Sequence, residues 1–145
     1  MPDSAAHRTR PPRAVAGTVN ITASAVSLYI ADAAASSEFF TTYLGYREEL
    51  RGEGYICLSR DDAAADIVLL ERSAEAPPQD SPGPQHMAVS FTVTAIADEH
   101  DRLRRAGAPI TTPLRQQPWG EWALRLTDPN GVMVELVEWV PPAGA

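Results

Sequence analysis

The chain has 145 residues, the size of one domain able to enclose a core of its own. Its formal charge is −7 at pH 7 and no basic stripe is visible, which argues against a nucleic-acid partner, since such binders cluster cations to displace counterions. The single cysteine, Cys57, excludes an intramolecular disulfide, and no stretch approaches the roughly 18 apolar residues of a membrane-spanning helix, so no membrane partner is expected either.

Residues 1–19 carry Arg8, Arg10 and Arg13 without the apolar run of a secretory signal. They are expected to form a mobile tail, and the protein to be cytoplasmic. All 12 basic residues are Arg, which together with the many alanines is expected of a GC-rich, bacterial genome. The first periodic segment, Ala25 to Ile30, alternates as a half-buried strand does. Asp32 is a suitable N-cap for a helix in which Ala35, Phe39, Phe40, Tyr43 and Leu44 recur at helical spacing and which Gly45 ends. Three strands are expected next, at 46–51, 54–59 and 66–71, with Gly52-Glu53-Gly54 as a hairpin turn rather than a phosphate cradle. The Pro- and Gly-rich residues 76–85 read as a linker.

The pattern then returns. Ala88 to Val93 repeats the first strand, and Thr94 is the expected cap of a helix carrying Ile96, His100, Leu103 and Ala106 and closed by Gly107. Strands at 109–115, 121–127 and 132–139 follow, the last two joined by the turn sequence Asp128-Pro129-Asn130-Gly131. The chain therefore reads as an α+β fold in a single domain, 20–140, of two βαβββ modules (20–75 and 86–140), with 141–145 as a tail. One face of each sheet takes its helix, and the two other faces share a cleft.

Alternation assigns Val26, Leu28, Ile30, Ile56, Leu58, Val68, Leu70, Val89, Phe91, Val93, Leu124, Leu126, Val134 and Leu136 to the helix side. It assigns Ala25, Ser27, Tyr29, Tyr55, Cys57, Ile67, Leu69, Ala88, Ser90, Thr92, Ala123, Arg125, Met133, Glu135 and Val137 to the cleft. That set is mostly apolar with a few polar groups, the character of an organic-ligand pocket. Trp119, before Gly120 in a loop, either stacks on a ligand at the cleft mouth or packs over a sheet edge or dimer contact. Trp122 is expected in the core. Glu135 needs a partner on so apolar a wall, and Arg125 on the adjacent strand is the candidate. Cys57 has no evident basic neighbour and is expected to be inert.

Phe39-Phe40 before Leu44-Gly45, then Trp119-Gly120, Asp128-Pro129-Asn130-Gly131 and Glu135-Leu136, resemble the motifs of the glyoxalase / bleomycin-resistance / extradiol-dioxygenase superfamily, the vicinal oxygen chelate fold. The resemblance covers about residues 24 to 140. Metal-using members place ligands on the first and last strands of each module, leaving open positions on a Lewis-acidic cation. Carried over, these positions fall on Ala25, Ala88, near Leu69 and on Glu135. Three of the four side chains have no lone pair to give, whereas catalytic zinc sites usually supply three protein ligands. His86 would enter the set, with Ser27, only if the register slipped by two; otherwise it is a histidine at the end of the linker.

The resemblance thus implies a member of the metal-lacking, bleomycin-resistance-like branch. Such a member sequesters a hydrophobic or aromatic compound such as an antibiotic, and is a homodimer. No cofactor is expected. The expected ligand-binding residues are Ser27, Tyr29, Tyr55, Cys57, Leu69, Ser90, Trp119, Arg125, Met133 and Glu135. The alternatives are an enzyme of the same superfamily (a lyase, isomerase or dioxygenase using a divalent metal or Glu135 as base) and an accessory protein whose cleft is filled by its own side chains.

Overall fold

The computed structural model describes residues 21–72 and 87–140. The expected tails, the linker at 76–85 and His86 lie outside these residues. The first module runs β1 (Ala25–Ile30), α1 (Ala33–Leu44), β2 (Arg47–Gly52), β3 (Tyr55–Ser59) and β4 (Asp66–Glu71). The second runs β5 (Ala88–Thr92), α2 (Ile96–Arg105), β6 (Ile110–Gln116), β7 (Glu121–Thr127) and β8 (Met133–Trp139). Each module is one four-stranded mixed sheet, ordered β1-β4-β3-β2 and β5-β8-β7-β6, and neither closes into a barrel. The fold is α+β, as expected. Among the described residues no helix is long and apolar enough to cross a membrane.

Each parallel pair, β1 with β4 and β5 with β8, joins the first and last strands of a module across its helix. Phe39 and Phe40 of α1 and Leu103 of α2 are buried against the sheets. Both modules feed one apolar cluster, and Phe91 of β5 reaches the Tyr46 ring at 6.0 Å between centroids.

Two expectations fail here. Leu69 and Ile67 do not face the cleft. Both are fully buried on the helix side, where Leu69 stands in register with Leu28 and Ile56. Val68 and Leu70 take the other face, in line with Ser27 and Tyr29. The run Ile67-Val68-Leu69-Leu70 is apolar at every position, so alternation carries no phase, and pairing with the neighbouring strands sets it. Thr94 is not the cap of α2 either. Ala95 is the N-cap residue, with φ 53°, and it has no side-chain oxygen to offer.

The missing acceptor comes from the sheet. Glu138, at the end of β8, accepts from the backbone N–H groups of Ala95 (3.1 Å) and Ile96 (2.9 Å). In the first module Glu71, at the end of β4, accepts from Ala33 N–H at 3.0 Å, beside the Asp32 cap on Ala35 N–H at 3.1 Å. A carboxylate from the last strand thus satisfies otherwise unpaired donors at each helix start, where the helix dipole also favours negative charge.

The turn 128–131 does more than reverse the chain. Asp128, 3% exposed, accepts from its own turn (Asn130 N–H and Val132 N–H, both 2.8 Å) and, in a short bond, from the Ser36 hydroxyl of α1, which is fully buried. Asn130 grips the other end of the same helix turn. Its Oδ1 accepts from Asp32 N–H at 3.1 Å, and its Nδ2 donates to Asp32 C=O at 2.7 Å and to Ser36 Oγ at 2.6 Å. The second module is thereby clasped onto the first helix. Asp128→Ala would strand three donors, two of them in the turn and one in the other module, and is expected to cost about 2–4 kcal/mol. Pro129→Ala should cost well under about 1 kcal/mol. Urea unfolding midpoints of the two variants check this.

Candidate functional site

β1 and β5 are outer strands of their sheets. Because successive side chains of a strand point to opposite faces, an outer strand offers both faces and an open edge to whatever lies beside it. An open groove of about 2010 Å³ lies along these two strands. Val26, Leu28, Val89 and Phe91 line it from the helix-side set of positions, and Ser27, Tyr29, Ser90 and Thr92 from the other. Tyr29 is 66% exposed and the adjoining Met87 is 68% exposed, so the groove has an uncovered apolar and aromatic rim.

Both modules contribute apolar and polar lining, and the second adds a group of polar side chains around one ion pair. Arg125, Met133, Thr111, Thr112 and Thr127 line the groove there. Arg125 Nε donates to Glu135 Oε2 at 3.0 Å, Ser90 Oγ donates to Glu135 Oε1 at 3.2 Å, and Arg125 Nη1 lies 3.6 Å from Met133 Sδ. The register Ser90–Glu135–Arg125 across β5, β8 and β7 puts the three side chains on one face, as the sequence anticipates. Glu135 is shielded, with its side chain 18% exposed against 45% for Arg125.

The other expected site residues are spread out. Tyr55 and Cys57 share the face of Ser27 and Tyr29 but belong to β3, beyond β4 from the groove. The Tyr55 ring lies over Gly52, where an added Cβ would come within 2.2 Å of it. Trp119 sits on the turn between β6 and β7, 66% exposed, with Nε1 donating to Glu121 at 3.3 Å, and it does not reach the groove. Gly120 beside it (φ 102°) is overlain by the Trp139 ring. Trp122 packs against the core.

Sequence reasoning missed Tyr46 and Arg60. The Arg60 guanidinium stands 5.8 Å from the Tyr46 ring centroid, pairs with Asp62 at 2.6 Å and donates to the last carbonyl of α1, Leu44 C=O, in a short bond. Tyr46 donates to Ala65 C=O at 2.7 Å. Burial, partly opposed by Arg60, pushes its phenol up to about 12, so it serves the groove as a neutral group and not as a base. Nothing in the local pattern marks these two, because they meet only through the fold.

A family model, the glyoxalase/bleomycin resistance protein/dioxygenase superfamily, matches residues 22–136. The chain belongs to that superfamily. A glyoxalase/bleomycin resistance protein/dioxygenase from Nocardioides superposes with a TM-score of 0.70 at 21% identity, covering 88% of this chain and 89% of that one. Its counterpart from Alicyclobacillus acidocaldarius gives 0.64 at 16% identity, covering 82% and 92%. TioX from Micromonospora sp. ML1 gives 0.62 at 19%, covering 82% and 99%. At these identities the likeness is one of fold. No curated protein matches the chain.

Within the superfamily's plan, the four metal-ligand positions can be compared with what stands there. Ala25 and Ala88 hold no donor atom. With Leu69 buried, the corresponding row on the open face holds Val68, which has none either. Glu135 alone carries lone pairs, and both of its oxygens already accept hydrogen bonds. Among the described residues no group of three or more His, Cys, Asp and Glu side chains converges. These residues do not fit a metal centre of the kind the superfamily's plan implies.

The raised Tyr46 phenol sets an alkaline limit. Its folded value exceeds the ordinary 10.0, so the protonated form is favoured by folding. This stabilisation is complete below pH 10 and is lost as pH rises to about 12. Absorbance titration should show a tyrosinate phase near pH 12 that Tyr46→Phe removes.

Proposed function

We propose that the protein is a small-molecule-binding member of its superfamily that sequesters a hydrophobic or aromatic compound, such as an antibiotic, without a catalytic metal. One observation carries the reading: alanine and valine stand at three of the four metal-ligand positions, and the fourth, Glu135, is tied to Arg125 and Ser90. What surrounds them is suited to an organic guest. Leu28, Phe91, Tyr29 and Met133 offer apolar, flat and polarizable surface, and a few hydroxyls and one ion pair give direction. The alternative of Glu135 as a general base has less behind it, because the carboxylate is held in an ion pair with Arg125 and accepts a hydrogen bond from Ser90.

The proposal includes a homodimer in the cytoplasm. Small-molecule pockets typically enclose about 300–1,000 Å³. The groove, at 2010 Å³, leaves room for a second copy to cover the exposed rim at Tyr29 and Met87 as well as for a ligand.

Three measurements check this. Protein purified without chelators should contain no stoichiometric divalent metal, and its melting temperature should not change with EDTA; bound Zn, Ni, Mn or Fe at one per chain would reverse the assignment. Calorimetric titration with a panel of aromatic antibiotics should give at least one saturable binder, and silence across the panel in folded protein would count against a ligand-binding role. Light scattering behind size exclusion should give twice the 15.6 kDa chain mass.

A further inference from the structure

Resting on the reading of the groove as an organic-ligand site, we propose that its ligand carries a planar group that both donates and accepts hydrogen bonds. An amide, lactam or ureide would seat against the Arg125–Glu135 pair beside Ser90. The groove carries apolar and polar lining in separate patches. Leu28 and Tyr29 of β1 and Val89 and Phe91 of β5 are apolar or aromatic, while Thr111, Thr127, Ser90 and Arg125 are polar, and Arg125 and Ser90 both hold the partly exposed Glu135. A ligand that covers both patches is apolar in one part and polar in another.

The polar part can be specified further. Arg125 uses Nε on Glu135 and Nη1 on Met133 Sδ, so its Nη2 keeps its donors without a partner among the described residues. Glu135 takes one bond on each oxygen. A carboxylate has about four lone-pair sites, so about two stay open. The pair is neutral overall yet places open donors and open acceptors side by side, with cation and anion 3.0 Å apart. A carboxylate ligand meets attraction from Arg125 and repulsion from Glu135 at nearly the same distance, and an ammonium meets the reverse, so either ion gives up its hydration for little net attraction. A neutral amide gives up less hydration and complements both partners, its C=O on Arg125 and its N–H on Glu135. The Thr111 and Thr127 hydroxyls, 3.1 Å from each other, extend the polar patch beside it.

The test uses three probes of one shape, naphthamide, naphthoate and naphthylmethylammonium, titrated calorimetrically at pH 7 and fixed salt into the full-length protein and into Glu135→Gln and Arg125→Met. The amide should bind the unsubstituted protein about tenfold tighter than either ion, the worth of one well-made hydrogen bond. Glu135→Gln leaves Arg125 uncompensated and should move the preference to naphthoate. Arg125→Met leaves Glu135 uncompensated and should move it to the ammonium. A merely structural ion pair would weaken all three probes alike in both variants, and that result overturns the inference. Equal binding of the three probes to the unsubstituted protein overturns it without any variant, while leaving the aromatic-ligand reading intact. If none of the three binds even at millimolar concentration, the aromatic-ligand reading falls and this inference with it.

Discussion

The two modules are held in one relation by a small polar contact. Asp128 and Asn130 of the second module close on Ser36 and Asp32 at the first turn of α1. Ser36 both donates to Asp128 and accepts from Asn130, and both it and Asp128 are buried. Buried polar groups stabilise only when satisfied, and a satisfied network tolerates few geometries. The contact therefore fixes where the β1 edge stands relative to the β5 edge, and the groove exists between those edges. The apolar meeting of Tyr46 with Phe91 supports the same arrangement without the same directionality.

Within that frame the chemistry of the groove is of one kind. The positions where relatives could place metal donors hold short or branched alkyl side chains. The remaining carboxylate is drawn into an ion pair with Arg125 and accepts from Ser90 on its other oxygen. Aromatic and apolar side chains from both modules, Leu28, Tyr29, Val89 and Phe91, line the same groove. The reading proposed above follows from that combination and not from any one residue.

Much of the fold was legible because its signals are local. Asp32 and Gly45 mark the ends of α1, Gly107 follows the end of α2, and Ala25 to Ile30 reappears as Ala88 to Val93. Alternation placed Ser90, Arg125 and Glu135 on one face correctly because small or polar and apolar residues take turns in those strands. It failed in β4, where four apolar residues in succession erase the phase and pairing with Leu28 and Ile56 decides it. Three relations were out of reach because they join residues far apart in the chain. Glu138 serves a helix that starts some forty positions earlier, as its separation of 42 from Ile96 shows. Arg60 meets Tyr46 at the open end of the β2–β3 hairpin, whose register sets Arg47 opposite Ser59. Asn130, legible as a turn residue, gave no sign that it reaches a helix 98 positions away. Trp119, which the sequence leaves between a ligand-stacking residue and one packed over a sheet edge or dimer contact, stands exposed on the turn between β6 and β7, outside the groove lining.

The clasp has a consequence for how such a scaffold diversifies. Of the residues that clasp the modules, Asp128, Ser36 and Asp32 lie outside the groove lining, whereas Asn130 both belongs to the clasp and lines the groove beside Val132 and Met133. Spacing and lining are thus coupled at one position, Asn130, and separate at the rest. Exchanges at Tyr29, Ser90 or Arg125 leave the clasp intact, which gives a duplicated module wide freedom to change the surface of its groove without renegotiating its architecture.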